Sequence, residues 1–194
     1  DINAPWLSFA NIRAAYAEVG GDTNPYNTRN VYNYGNVWGG QFVATESSLL
    51  RNPELKPERT TSLELGTDLR FLDNRLRVDF TWYDIRSKDQ IINLPLAKST
   101  GYDAKLINAG EIKNEGIELL VSGTPIQKQN FSWEVTANYA RNTSEVVSLA
   151  DGIDSYLIVP DMYPADGGQD LSLEARVGQP LGQLLGLDFE RGQS

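Results

Sequence analysis

The chain has 194 residues, 40% of them apolar, with 17 Lys and Arg against 26 Asp and Glu and a formal net charge of −9. It contains no Cys and no His, which excludes disulfides, thiolate zinc sites, cysteine nucleophiles and every triad built on an imidazole base. The basic residues are scattered, so a general nucleic-acid binder is excluded as well, because such binding rests on clustered Lys and Arg.

No apolar run approaches the ~20 residues of a membrane-spanning helix. A barrel strand is not excluded, since it needs only ~9–11 residues with alternate positions apolar. The chain opens at Asp1, with no initiator Met and no signal peptide, and reads as a piece of something larger or as a processed chain.

In chain order, Leu7 to Val19 is strand-like. Ile12, Ala14 and Tyr16 share one parity, while Leu7 and Phe9 fall on the other with Arg13. That mismatch predicts a bulge or a late strand start. Gly20 to Pro57 is a long connection rich in Asn, Gly and aromatics, including Tyr26, Tyr32, Tyr34, Trp38 and Phe42. Connections of that length are usually functional.

Thr61 to Phe71 is the clearest strand. Leu63, Leu65, Leu69 and Phe71 oppose Ser62, Glu64, Gly66, Asp68 and Arg70. Asp73-Asn74 makes a tight turn into a strand with Leu76, Val78, Phe80 and Trp82 on one face and Arg77, Asp79, Thr81 and Tyr83 on the other. Ile92 to Ile107 is a mid-length loop.

A fourth strand, Gly116 to Thr124, sets Ile117, Leu119 and Val121 against Glu118 and Ser122, with Leu120 breaking the pattern on the polar face. After a short turn at Gln127 to Asn130, a fifth strand places Phe131, Trp133, Val135, Ala137 and Tyr139 on one side. Ala150 to Asp170 is long and acidic. Leu171 to Val177 alternates again, and a further strand begins near Leu184.

Connections therefore run long, short, medium, short, long, as the outer loops and periplasmic turns of a membrane barrel do. Phe71, Phe131 and Trp133 stand beside the short turns, with Tyr16, Trp82 and Tyr139 toward the long loops, as two interfacial belts would. A water-soluble β-sandwich, such as an extracellular binding or adhesin module, would use the same residues as its core. The two readings differ in what meets the apolar face: lipid, or a second sheet.

Several runs resemble the SusC/RagA family of TonB-dependent outer-membrane transporters. They are Asn52-Pro53-Glu54-Leu55-Lys56-Pro57-Glu58 with Leu63 to Phe71, Thr100-Gly101-Tyr102, Asn108-Ala109-Gly110-Glu111-Ile112 with Asn114 to Leu119, Phe131-Ser132-Trp133, Val146 to Leu149, and Glu174 to Pro180. Together they span nearly the whole chain, in order.

The resemblance implies an all-β fold: about six or seven antiparallel strands of a barrel of about 22 with a plugged lumen and long extracellular loops. Residues 1–194 would be a partial barrel domain from its later half, with plug and terminal strands not represented. The implied function is import of glycan oligosaccharides or peptides across the bacterial outer membrane, with energy from the TonB complex and a SusD-like surface lipoprotein as lid. The resemblance implies no enzymatic activity, cofactor or metal.

The best ligand candidates are Tyr26, Tyr32, Tyr34 and Trp38. Their rings suit the apolar faces of sugars, and the neighbouring Asn and Gln amides suit sugar hydroxyls. The alternative is a loop that packs on itself or on the lid.

Asp151, Asp154, Asp161, Asp166 and Asp170 fit no EF-hand spacing and read as a solvated loop. Glu64, Asp68, Arg70, Arg77, Asp79, Glu118, Glu134, Glu174 and Arg176 read as a cross-strand-paired wall rather than as a glycosidase pair. Gly178, Gly182 and Gly186 lack the apolar 20-mer that a helix-packing motif needs, and the two Asn-x-Ser patterns read as chance matches.

Overall fold

Period-two alternation gives a strand two chemically different faces, and this chain is built almost wholly of such strands. The computed structural model describes residues 6–159 and 171–186. In chain order the strands are β1 (Leu7–Gly21), β2 (Tyr32–Trp38), β3 (Gln41–Glu46), β4 (Leu49–Leu50), β5 (Glu58–Phe71), β6 (Leu76–Lys88) and β7 (Ile91–Pro95). After a 3-10 turn at Lys98–Thr100 come β8 (Ala104–Asn108), β9 (Glu111–Lys128), β10 (Phe131–Ser148), β11 (Ser155–Val159), β12 (Ser172–Arg176) and β13 (Gln183–Leu185). No α-helix occurs among the described residues.

The chain divides into two units. The first comprises Asp1–Glu18, Thr61–Arg86 and Lys113–Ser144; the second comprises Val19–Thr60, Ser87–Ile112 and Glu145–Ser194. The five long strands form one open sheet in the order β1-β5-β6-β9-β10, and their main spans make up the first unit.

In that first unit the apolar face is the uncovered one. Leu65 is 45% exposed, Phe80 37% and Trp133 52%. These three residues would lie buried together if a second sheet packed on them, so the sandwich reading is not what the chain adopts. The opposite face holds the buried Asp68 and Gly66.

On each strand the apolar parity ends in a charged residue at the long-loop end: Glu18, Arg59, Asp84, Glu115 and Arg141. Tyr16, Trp82 and Tyr139 each stand two residues before such a charge. Asp84, Arg86, Lys113 and Glu115 then pair with one another, with Arg86 Nε 2.9 Å from Asp84 and Lys113 Nζ 2.7 Å from Glu115 and 3.7 Å from Asp84. The band of apolar side chains is thus bounded by aromatic rings and then by ion pairs.

The start of the sheet differs from expectation in an instructive way. β1 begins at Leu7, not later. Phe9 stays on the polar face because the Arg70 guanidinium covers its ring at 4.8 Å, a cation–π contact that makes an aromatic acceptable there. Trp6 stacks on Phe71 at 5.9 Å beside the first short turn. In that turn Leu72, Asp73 and Asn74 all take positive φ, which Asp and Asn tolerate. The second short turn is tighter than expected, with only Gln129 and Asn130 between β9 and β10.

Two side chains on the polar face each cross a whole strand. Arg13 on β1 passes over β5 at Gly66 and reaches β6, where its Nη2 donates to Asp79 Oδ1 at 2.8 Å and also to the Thr81 hydroxyl. Tyr83 on β6 lies over Gly116 of β9, and its hydroxyl donates to Asn142 Oδ1 on β10 at 3.3 Å. Each glycine is there for space: a Cβ would occupy the path of the crossing side chain.

The two notches differ in rigidity. A Cβ at Gly116 would also meet the backbone carbonyl oxygen of Arg141 at 2.6 Å, whereas at Gly66 the atoms nearest to it belong to the end of the flexible Arg13 side chain. Gly66→Ala should therefore cost about 1–3 kcal/mol as Arg13 swings off Asp79, and Gly116→Ala should cost more. The thermal unfolding midpoint of the intact folded protein reads the difference; equal effects would refute a rigid notch at Gly116.

Candidate functional site

The polar face of the first unit is a charge lattice. Asp68 Oδ2 lies 3.1 Å from Arg77 and 3.3 Å from Arg70, Arg77 lies 3.4 Å from Asp79, and Arg13 joins Asp79 at 2.8 Å and Glu64 at 3.9 Å. Three cations and three carboxylates on β1, β5 and β6 thus neutralise one another. Toward β9 and β10 hydroxyl hydrogen bonds take over, where Glu134 accepts from Ser122 at 3.0 Å and Thr136 donates to Ser122 at 3.1 Å. A cavity of about 440 Å³ borders Arg13, Asp79, Glu118, Leu120 and Tyr139. Asp68 and Asp79 are held by guanidinium groups, an arrangement that binds charge and positions no free carboxylate pair for glycosidase chemistry.

Glu174 and Arg176 do not stand on that face. The alternating stretch Leu171–Val177 contains β12, which pairs with β11 and β13 in a separate three-stranded sheet of the second unit. There Glu174 is buried and Arg176 Nη2 holds it at 3.1 Å. Val146, fully buried, exchanges hydrogen bonds with Gly178 (2.8 Å) and Gln179 (2.9 Å), which ties the end of β10 to this turn. Asp151 and Asp154 are exposed in the loop before β11. Asp161, Asp166 and Asp170 lie outside the described residues.

The long connection between β1 and β5 in the second unit is structured. β2 and β3 form a hairpin whose two-residue turn, Gly39-Gly40, has φ of 58° and 78°. Both central residues of a type I′ turn need positive φ, and glycine takes it without strain. Tyr32 pairs with Glu46, Tyr34 with Ala44 and, beyond a bulge, Val37 with Phe42. Directly opposed residues share a face, so Tyr32, Tyr34, Val37 and Phe42 stand together. Tyr34 and Phe42 meet edge-to-face with centroids 6.3 Å apart.

The four aromatic candidates therefore do not make one platform. Tyr32 and Tyr34 share a face, Trp38 pairs with Gln41 on the opposite face, and Tyr26 lies outside the hairpin in a turn with φ of 69°. Arg51 holds that turn through its Nη1, which donates to the Tyr26 carbonyl at 2.8 Å. Phe42, at the end of the candidate loop, stands on the Tyr32 and Tyr34 face. The period-two pattern from Tyr32 and the Gly39-Gly40 signal are what reveal it.

Two clamps organise the base of these loops. Asn108 Oδ1 accepts from Lys56 N at 2.7 Å, and its Nδ2 donates to Lys56 O at 2.7 Å and Asp89 O at 2.8 Å. Nearby, Glu58 Oε1 accepts from Ile91 N at 2.7 Å, and buried Ala109 donates to Gln90 O at 2.7 Å. Gly110 completes this clamp with φ of 85°, and a Cβ there would lie 2.7 Å from the Ser148 carbonyl oxygen. In the second clamp Tyr102 donates to Glu46 Oε1 at 2.9 Å, and Asn30 Nδ2 reaches the same oxygen at 3.3 Å. The Glu46 carboxylate holds the Tyr102 phenol above its ordinary pKa, first through this hydrogen bond.

Comparison with known proteins agrees with this architecture. The family model described as TonB dependent receptor-like, beta-barrel matches residues 2–183. Among curated relatives, TonB-dependent receptor P3 of Formosa agariphila is 30% identical over 181 residues, which is 92% of this chain and 18% of that protein. TonB-dependent receptor SusC of Bacteroides thetaiotaomicron is 28% identical over 119 residues, 61% of this chain and 12% of that protein. Among solved structures, that of the RagAB peptide transporter superposes with a TM-score of 0.75 at 24% identity, covering 93% of this chain and 19% of that one. The chain belongs to the TonB-dependent receptor β-barrel family, and it spans about 18% of the length of relatives such as P3.

The clamps predict two local effects. Asn108→Ala should lower the opening free energy of the Lys56 amide by about 1–3 kcal/mol, read by hydrogen exchange in the intact protein. The Tyr102 bond should persist below pH ~10 and be lost as pH rises through the raised phenol pKa, because only the neutral phenol donates. Faster exchange in β2 and β3 above that pH, absent in Tyr102→Phe, checks it.

Proposed function

We propose that residues 1–194 form part of the barrel domain of an outer-membrane transporter, with the apolar face of the five-stranded sheet in lipid and the charge lattice toward the lumen. The observation that carries this reading is the uncovered apolar face, bounded by aromatic rings and ion pairs, in a chain of the TonB-dependent receptor family. If some twenty apolar side chains faced water instead, each would forgo about 1.5–3 kcal/mol, more than a whole domain's stability of ~5–15 kcal/mol.

The whole protein would then import nutrients, either oligosaccharides or peptides, with TonB-derived energy and without catalysis by these residues. A SusD-like lipoprotein would cover the extracellular mouth. The resemblance to SusC and the fold shared with the RagAB peptide transporter support this. Tyr26, Tyr32, Tyr34 and Trp38 would contribute to ligand contact from the outer loops, supported by their exposure and by the amide-rich sequence around them.

The membrane assignment is tested on one strand. Val135→Arg, at the middle of the apolar run of β10, should cost about 2–4 kcal/mol of insertion free energy. Asn138→Arg, on the polar face of the same strand, should cost close to nothing. The folded fraction of the full-length parent in outer membranes, read by heat-modifiable gel mobility, reports both. Equal tolerance at the two positions would reject a lipid-facing β10. Uptake that survives collapse of the proton-motive force would reject TonB-energised import.

A further inference from the structure

The β2–β3 hairpin is well held within itself and sparsely held to its surroundings. Its two strands belong to no larger sheet. Inside it, the Gly39-Gly40 turn matches the strand twist, Tyr34 meets Phe42 edge-to-face, and the Thr45 hydroxyl donates to Asn33 O at 3.3 Å. Outward, every side chain of β3 is exposed, and so are Tyr32, Tyr34 and Trp38 of β2. An element with an ordered interior and few outer contacts moves as one body.

The chain is fixed again immediately beyond each strand. Before β2, Asn30 Oδ1 accepts from Arg51 N at 2.9 Å. After β3, Ser48 O accepts from Asp103 N at 2.8 Å. Ser48 precedes β4, whose Leu49 and Leu50 run parallel to Ala104 and Lys105 of β8. Between anchor and strand stand only Val31 on one leg and Ser47 on the other. A change of φ and ψ at these two residues would swing the hairpin and leave both its ladder and its anchors intact.

What opposes that swing converges on one atom. Glu46 Oε1 accepts from the Tyr102 hydroxyl at 2.9 Å and from Asn30 Nδ2 at 3.3 Å. Tyr102 follows the Lys98–Thr100 turn and is positioned by it, since Tyr102 N donates to Thr100 Oγ1 at 3.3 Å. A hydrogen bond to a carboxylate is roughly twice as strong as a neutral one, and this one joins the hairpin to the segment before β8.

We infer that the β2–β3 hairpin is an arm hinged at Val31 and Ser47, and that the Tyr102–Glu46 hydrogen bond is the latch that holds it in one of two positions. Every contact involved lies inside the second unit, so the latch holds whether or not the whole protein imports nutrients.

The chain contains no Cys, so spin labels can be placed on it at will. In the full-length parent, cleared of cysteines elsewhere, Gln41→Cys labels the hairpin tip and Asn93→Cys labels β7; both positions are exposed. Dipolar electron paramagnetic resonance should give one narrow distance with the latch intact. Tyr102→Phe and Glu46→Ala should each add a discrete second distance, with the open-to-closed ratio raised about tenfold. Glu46→Gln keeps an acceptor oxygen and should fall between the intact latch and Glu46→Ala.

Four results would overturn the latch. They are a featureless spread of distances with the latch intact, no second distance in Tyr102→Phe and Glu46→Ala, a featureless spread in place of that second distance, and an opening in Glu46→Gln as large as in Glu46→Ala.

Discussion

An apolar face that no described residue covers is the constraint from which the rest follows. Soluble sheets hide their oily side and show their charges; here Leu65, Phe80 and Trp133 are open while Asp68 is buried. Such a sheet is stable only where its solvent is itself apolar, and the strand ends show where that solvent must stop. Tyr16, Trp82 and Tyr139 come first, then the ion-paired Asp84, Arg86, Lys113 and Glu115. Rings with one polar edge belong at an interface, and paired charges belong beyond it.

With hydrophobic burial directed outward, cohesion within the sheet has to come from its polar side. Backbone ladders supply part of it. The remainder is visible in two crossing side chains, Arg13 over Gly66 and Tyr83 over Gly116, each joining a strand to the next but one. This gives physical content to the glycines in Leu63-Glu64-Leu65-Gly66 and Asn114-Glu115-Gly116-Ile117. Asn108, Ala109 and Gly110 do the same for the loops, because the side-chain amide replaces a backbone partner for Lys56 and Asp89. The runs that carry the family resemblance are therefore mostly joints.

Much of the wall was legible in the sequence because period two leaves little freedom: slipping one residue would reverse the two faces. The alternating cores of β5, β6, β9 and β10 stood where the pattern put them. Their ends did not, since β9 and β10 run on for many residues past the apolar band, where nothing distinguishes in from out. The loops were less legible. β7 and β8 inside Ile92–Ile107 are short and pair partly through the two-residue β4, a contact no local pattern announces. Leu171–Val177 alternated as well as any wall strand yet joined a different sheet, because alternation states that a strand has two faces and not which strand lies beside it. Phe9 broke parity for a reason found only in space, the Arg70 guanidinium above it.

The proposed assignment of ligand contact to the loops rather than to the lattice follows the same reasoning. On the polar wall Arg13, Arg70 and Arg77 are already committed to Asp68, Asp79 and Glu64, so a ligand would have to break ion pairs before making its own. The β2–β3 hairpin differs: its rings are exposed, and its one charge, Glu46, is engaged at the base by Tyr102 and Asn30, which ties it to the rest of the second unit. A wall that must hold its shape and an exposed hairpin show opposite degrees of internal satisfaction. The chain provides both by concentrating its guanidinium–carboxylate pairs in the first.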